Sequence, residues 1–493
     1  MSRVLLSIGV IQMAIMLIAL VRAKVLSVLL GPAGYGVAST IDQTVLSTMQ
    51  LAHLSLPFTA MKFMSNRHSD GHEPFERTFA TFFRALSIQA VIAVAIVAAL
   101  LTWRPTLFGS DLGAYRPYFL IAVLSVPAAM LNVLFVNTLA SAQRGASSAM
   151  LNMLVLLALA AAAIVGVAMN GIQGLYVATV ATGVGTTLGS IWYLQRTLGV
   201  HVTAPTAGLR RELRESPEIV RFAMLIYVAM SAYSLTMLGT RYFVFEGLGA
   251  VGAGLLQALL GIALTVGNVM TPMNGLFFTP YVNRQLPVET KIAAADDFAG
   301  KITLLLLLAG VVVALFPRVV LTLLFSPRFA PAAAALSLFV VWQCLYQIVN
   351  VYLQLLIGLD DVAYFAIATV LGYATAAVAF PTLIARFGLG GAALALSVAM
   401  LVAFAAALLR LRRKFAATVS PLVMGRAAFT LAVIYLAGRV FDPATELTIA
   451  GIGTRGAYVV LVLGLAALTL SRAERALIAS GLAWGRVRLM SRS

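Results

Sequence analysis

A chain of 493 residues that is 61% hydrophobic and only 10% charged lacks the polar groups needed to cover a soluble fold. Its net charge of +17 lies mostly in short loops between apolar blocks, which argues against nucleic acid as a partner and reads as a topology signal. The one cysteine, Cys344, lies in an apolar run, so a disulfide framework or a cysteine metal site within one chain is excluded.

The apolar blocks are about 20 residues long, the length that crosses a bilayer as a helix. Nothing alternates with the period of two of a membrane barrel. Fourteen spans are expected, over residues 5–30, 37–64, 82–103, 117–139, 150–170, 173–194, 222–245, 251–281, 301–323, 332–357, 362–385, 389–410, 424–441 and 456–471. Helices are the open-ended choice in lipid because each satisfies its own backbone hydrogen bonds. No cleavable signal peptide is expected, since residues 4–30 are too long for a signal core and run into the second span.

The chain is written twice, with an offset of 217 or 218 residues held over about 140 residues. Gly31, Gly34 and Gly36 return as Gly249, Gly252 and Gly254. Asn66-Arg67 returns as Asn283-Arg284, Leu107-Phe108 as Leu324-Phe325, and Asn132-Val133 as Asn350-Val351. Gly171 and Gly174 return as Gly388 and Gly391. In an apolar chain such a repeat predicts an all-α polytopic transporter of two six-helix bundles, with two unmatched helices added at the C-terminus. The expected divisions are an N-terminal bundle (1–196), a cytoplasmic linker (197–221), a C-terminal bundle (222–414), and two extra helices with a basic tail (415–493).

With the N-terminus inside, the inner segments hold 24 Lys and Arg and the outer ones 7. Arg104, Arg318, Arg328 and Arg455 are counted among the outer ones. The bias predicts cytoplasmic termini and an even number of spans. The linker segment from Leu209 to Arg214 and the tail from Arg472 to Arg492 suit short helices on the anionic inner surface, or plain topology anchors.

Three cations remain inside spans: Arg22 and Lys24 in the first, Arg241 at matching depth in the seventh. A cation in hydrocarbon costs roughly 2.5–3.5 kcal/mol on insertion scales. Such residues face water, a partner or a ligand unless they snorkel. From the first helix of each half they would converge on a central cavity and suit a phosphate or diphosphate. Asp42, the one carboxylate well inside a span, and His53, eleven residues on, are candidates for ion coupling. The bland readings are that Asp42 lies near the outer surface or neutralises Lys24, and that His53 packs. Glu246 ends the seventh span and is interfacial.

Pro57, Pro127, Pro272, Pro280 and Pro381 lie inside spans and mark bend points. So do the amides Gln43, Asn132, Asn137, Gln257, Asn268, Asn274, Gln343, Gln347, Asn350 and Gln354, able to bond sugar hydroxyls or to join helices. Asn132 and Asn350, at matched repeat positions, read as structural. No phosphate-binding loop, metal spacing or large outer domain is present, so an enzyme, an ATPase, a metal or another cofactor is not expected.

The run from Arg22 to Gly36, Arg-Ala-Lys-Val-Leu-Ser-Val-Leu-Leu-Gly-Pro-Ala-Gly-Tyr-Gly, resembles the first-helix signature of bacterial polysaccharide flippases of the multidrug/oligosaccharidyl-lipid/polysaccharide exporter superfamily. Weaker likenesses lie at 324–332, 358–360 and 388–392, and the resemblance spans about residues 1–415. It implies two bundles around a cavity opening alternately to each side of the inner membrane. The substrate implied is an undecaprenyl-diphosphate-linked oligosaccharide for exopolysaccharide or lipopolysaccharide synthesis, with polysaccharide polymerase and glycosyltransferases as pathway partners. Arg22, Lys24 and Arg241 would hold the diphosphate. Arg22 stands nine residues before Gly31, a spacing similar to that of the related peptidoglycan-precursor flippases. The acidic residue that follows the arginine in some of those is Ala23 here. A multidrug exporter of the same superfamily is the other reading, and the basic interior counts against a cationic drug.

Overall fold

A computed structural model describes residues 2–68, 71–103, 111–206, 208–268, 270 and 273–469. Among these, ten helices are long and apolar enough to cross a membrane, and four of them are 43 to 54 residues long. That is about twice what a bilayer requires. Each of the four turns back at one glycine: Gly31 (φ 65°), Gly171 (φ 54°), Gly249 (φ 69°) and Gly388 (φ 55°). A left-handed backbone carries no Cβ penalty at glycine. The glycine pairs 31/249 and 171/388 of the repeat are therefore matched hairpin turns.

Counting each arm gives the fourteen passes expected. They are α1 (2–30), α2 (32–52), α3 (His72–Trp103), α4 (Arg116–Val123 and Val126–Ser141), α5 (145–169), α6 (172–198) and α7 (217–248). Then come α8 (250–268), α9 (Val288–Leu315), α10 (Ala333–Gly358), α11 (362–387), α12 (389–415), α13 (Pro421–Val440) and α14 (Ile449–Thr469). Several outrun their expected bounds. The third begins at His72 rather than 82, because hydropathy marks only the hydrocarbon slab. The polar first turns, with Arg77 bonded to Glu73 at 2.7 Å, continue the helix beyond it.

Helices α1–α6 and α7–α12 form the two lobes, which meet about a local two-fold axis. A Cβ on Gly36 would lie 2.0 Å from the Ala250 carbonyl oxygen, and one on Gly254 would lie 1.9 Å from that of Pro32. Pro32 and Ala250 are themselves repeat partners, so the glycines let α2 and α8 cross at backbone contact. Lower down, α2 is joined to α7. Ser234 Oγ donates to Ser47 Oγ at 3.0 Å, Tyr227 Oη donates to the Leu51 carbonyl at 2.8 Å, and Phe58 stacks on Phe222. The counterpart seam between α1 and α8 carries no hydrogen bond or ring contact among the described residues. The α1 side chains Val10, Met13 and Leu17 are exposed.

Three of the expected bend points start a helical segment after a break. Pro57 follows the turn at residues 53–55, Pro127 follows Leu124-Ser125, and Pro280 follows the wide turn Asn274–Phe278. Pro381 lies within α11 without a break. Pro272, Arg104, Leu107-Phe108 and the basic tail from Arg472 lie outside the described residues. The linker holds the expected short helix, Leu209–Glu215, tied to the helical segment Leu56–His68 that follows α2 by an ion pair between Arg67 and Glu215.

The added pair, α13 and α14, packs on α9 and α10, and one guanidinium ties it to the end of α9. Arg455 is fully buried and donates to the carbonyls of Leu315 (2.8 Å), Asp442 (2.7 Å), Gly451 (3.1 Å) and Thr445 (3.2 Å). Glu446 accepts the backbone N–H groups of Arg318 and Val319, each at 2.9 Å. Arg455 is thus not an outer-loop cation as its place between blocks suggested: α14 starts earlier, and its helix carries the residue inward. Arg455→Ala leaves four carbonyls short of a donor, and we expect a loss on the order of 3 kcal/mol. Thermal unfolding of the detergent-solubilised protein checks it, and an unchanged midpoint would remove the docking role.

At the other membrane face, Asp361 in the α10–α11 turn accepts from Arg410 Nε (2.6 Å) and Nη2 (3.2 Å), with Lys414 at 3.4 Å. Burial works to raise this carboxyl's pKa, but the Arg410 bonds and the Lys414 charge outweigh it and hold it below the ordinary value. A depressed carboxylate stabilises the fold above its unfolded pKa of about 3.9 and loses that contribution as pH falls through the folded value. The melting-temperature gap between wild type and Asp361→Asn should therefore stay level above about pH 5 and close under acid. A gap independent of pH would contradict it.

Candidate functional site

Arg22 and Asp42 meet across the Gly31 hairpin, with Nη2 and Oδ2 3.2 Å apart. Arg22 stands nine residues before the turn and Asp42 eleven after it. At helical rise that is roughly 13 and 16 Å in, near the middle of a hydrocarbon core of about 30 Å. Tyr176 on α6 donates its Oη to Asp42 Oδ1 (3.1 Å) and to the Ala38 carbonyl (2.9 Å). The Arg22 and Asp42 side chains keep 37% and 42% of their surface open. A charge pair at this depth with so much open surface faces aqueous space, because exposure to lipid would cost several kcal/mol.

The C-terminal lobe holds a similar arrangement, off the strict register of the repeat, with one change in chemistry. Arg241 on α7 reaches across the Gly249 hairpin to Gln257 on α8, Nη2 to Oε1 at 2.6 Å, and Nη1 lies 3.4 Å from the Met237 carbonyl. Where the first lobe supplies a carboxylate, the second supplies a neutral amide. Arg241 is only 7% exposed, its Nε has no hydrogen-bond partner, and no carboxylate bonds it among the described residues. A buried guanidinium without a bonded counter-charge is costly and makes the site attractive to an anion.

The two arginine clusters are neighbours. Tyr35, from the Gly-Tyr-Gly segment, lies within electrostatic reach of Arg22, Asp42 and Arg241, and beside Gln257. Its ring is held by Phe325 at 6.0 Å and Phe329 at 5.9 Å, both from the C-terminal lobe. Two guanidinium groups and one carboxylate thus leave a net positive centre at the lobe interface.

Lys24 is placed elsewhere: its Nζ donates to the Thr322 carbonyl of the opposite lobe at 2.9 Å, a bond between lobes rather than in the cluster. Asp42 is engaged by Arg22 and Tyr176, not by Lys24. His53 lies in the break after α2, where its Nδ1 accepts the Ser55 N–H at 3.1 Å and caps the strained pair Leu54 (φ 47°) and Ser55 (φ 58°). It is roughly 16 Å along the helix from Asp42. Tyr176 was not singled out by sequence, since a tyrosine in a span is ordinarily interfacial. Among the amides, Asn137 donates to the Pro57 carbonyl (3.1 Å) and Gln347 to that of Gly267 (3.0 Å). Asn132 is half-buried, whereas Asn350 lines a cavity of the C-terminal lobe, so the repeat pair does not share one environment. Among the described residues no group of three or more His, Cys, Asp or Glu is placed to hold a metal.

No family model matches this chain, and no curated protein matches its sequence. Solved structures do match its fold. The inward-closed lipid II flippase MurJ is similar with a TM-score of 0.70 at 11% identity, over 96% of this chain and 99% of that one. An inward-facing multidrug resistance MATE family transporter of the MOP superfamily gives 0.66 at 16% identity, over 82% and 94%. A MOP superfamily transporter from Pyrococcus furiosus, whose binding pocket is described as of reverse polarity, gives 0.57 at 13%, over 87% and 96%. The chain therefore shares the fold of MOP superfamily transporters and is a multi-pass membrane protein.

Proposed function

We propose that the protein is a flippase that carries an undecaprenyl-diphosphate-linked oligosaccharide across a bacterial inner membrane by alternating access. The carrying observation is Arg241, a buried guanidinium that meets an amide across its hairpin where Arg22 meets a carboxylate across its own. A diphosphate offers the counter-charge and the bidentate oxygens such a pair lacks. Asp42 holds Arg22 in place and competes with the anion, which keeps binding reversible. Lys24 ties α1 to the opposite lobe near the Gly31 end through the Thr322 carbonyl. The lysine and arginine bias of the loops puts both termini and the linker on the cytoplasmic side. The unstitched seam of α1 and α8 offers a lateral slot in which a polyprenyl tail stays in lipid while its headgroup crosses.

A vesicle flip assay with fluorescent lipid-linked oligosaccharide tests the reading. The double variant Arg22→Ala, Arg241→Ala is expected to fall to background, and undiminished transport would sink the site. Two further readings share the fold: export of cationic drugs, and transport of a peptidoglycan lipid precursor. The open Asp42 carboxylate favours the first of these. Deletion that changes drug sensitivity and leaves surface polysaccharide intact would establish it in place of ours.

A further inference from the structure

Apart from the arginine cluster, the C-terminal lobe holds a partly open cavity of about 240 Å³ lined from α7, α8 and α10. Its wall is amide and aromatic: Asn268, Gln343, Gln347 and Asn350 with Tyr233, Trp342 and Tyr346, and no charged side chain. Trp342 and Gln343 are each 1% exposed, and two of their polar atoms, Trp342 Nε1 and Gln343 Oε1, have no partner. A buried indole N–H requires an acceptor and a buried amide oxygen requires a donor, or each loses its hydration without return. Both residues line the cavity, and a hydroxyl is an uncharged group that can serve either need. A metal cation would satisfy the oxygen but be repelled by the N–H, and an anion the reverse.

We propose that this cavity is a subsite for one uncharged sugar ring of the transported glycan. The aromatic faces supply the apolar wall and the amides the hydrogen bonds that a polyhydroxylated ring needs. The volume is below the about 300–1,000 Å³ of pockets that engulf a drug-sized ligand, so it admits a single ring rather than a chain. The position also fits. Tyr233 precedes Arg241 by eight residues on α7, roughly 12 Å along one face of the helix, and lies within electrostatic reach of its guanidinium. A ring in the cavity thus sits near the phosphate that Arg241 would hold. Gln347, bonded to Gly267, and Gln343, whose amide packs against the same glycine, keep the wall in place without ligand. The proposal rests on the flippase reading for the source of the sugar, and its own chemistry rests on the two unpartnered atoms.

The test uses the full chain in nanodiscs with ¹⁵N-labelled tryptophan. A panel of uncharged methyl glycosides (hexose, deoxyhexose and N-acetylhexosamine) is titrated while the Trp342 indole resonance is followed. At least one glycoside is expected to shift it, with affinity about tenfold weaker in the volume-conserving Gln343→Met and weakened again in Tyr346→Phe. No shift with any glycoside, meaning that water alone fills the cavity, overturns the proposal. An equal response in Gln343→Met does so too. In a second arm, bare polyprenyl diphosphate is bound to wild type, Gln343→Met and Arg22→Ala. Unchanged binding by Gln343→Met with loss in Arg22→Ala supports two separate subsites. A glycoside response with no loss in Arg22→Ala upholds the sugar cavity and rejects the diphosphate reading.

Discussion

Gly254→Ala is expected to reduce transport to a small fraction of wild type while the protein still inserts and folds. The added Cβ would lie 1.9 Å from the Pro32 carbonyl oxygen and 3.2 Å from the Gly36 nitrogen. Carbon and oxygen approach comfortably to no less than about 3.3 Å, so α2 and α8 must separate by more than an ångström. The obstacle is backbone, which has no rotamer to yield. Overpacking of this kind costs about 1–3 kcal/mol, and here the cost falls only on the state in which the lobes touch. A two-state carrier then shifts by about 5- to 150-fold away from that state. Gly36→Ala, the symmetry partner, should behave alike, since its Cβ would meet the Ala250 carbonyl at 2.0 Å. Gly189→Ala on α6, where a Cβ meets nothing within 4 Å, is the control and should transport normally. Spin-label distances across the Gly31 and Gly249 ends should lengthen in the first two variants only. Unaltered distances with normal transport in Gly254→Ala would show that this crossing is not a gate.

The second large effect is expected at Arg22. Because the Arg22–Asp42 pair keeps more than a third of its surface open, its contribution to stability is small, about 1 kcal/mol or less. Arg22→Ala should therefore unfold within a few degrees of wild type, yet bind polyprenyl diphosphate at least tenfold more weakly, the equivalent of about 1.4 kcal/mol from a charge-assisted contact. Asp42→Asn should act in the opposite direction. It removes the competing carboxylate while keeping the shape and the Tyr176 contact, so the same lipid should bind more tightly. Binding isotherms on the three proteins decide it. Tighter binding in Arg22→Ala, or weaker binding in Asp42→Asn, would exclude the competition between Asp42 and the headgroup.

Much of the frame was legible in the residues. Fourteen apolar blocks became fourteen helices, and the glycines that recur at a constant offset became hairpin turns and lobe crossings. Both readings depend on properties that act locally: bilayer thickness sets block length, and a missing Cβ permits a turn or a close approach. Arg22, Asp42 and Arg241 stood out for the same reason, since charge at such depth is expensive wherever the helix faces. Lys24 shows where that logic stops. It is two residues from Arg22, and its depth alone cannot distinguish a bond to Thr322 in the other lobe from a place in the cavity. His53 is similar, since its capping of a helix break depends on a turn that hydropathy does not record.

What the amino-acid sequence determined by itself is the membrane as solvent, the number of passes, the two-fold plan and the presence of costly charges. Each follows from composition, block length or a residue's own backbone freedom. What only the tertiary structure decided is who meets whom. Asp42 is held by Tyr176, 134 residues away. Arg241 faces an amide where Arg22 faces a carboxylate, and Trp342 and Gln343, each with an orphaned polar atom, line one cavity. Those relations depend on how helices rotate and pack against one another, and nothing in a single helix's sequence carries that rotation.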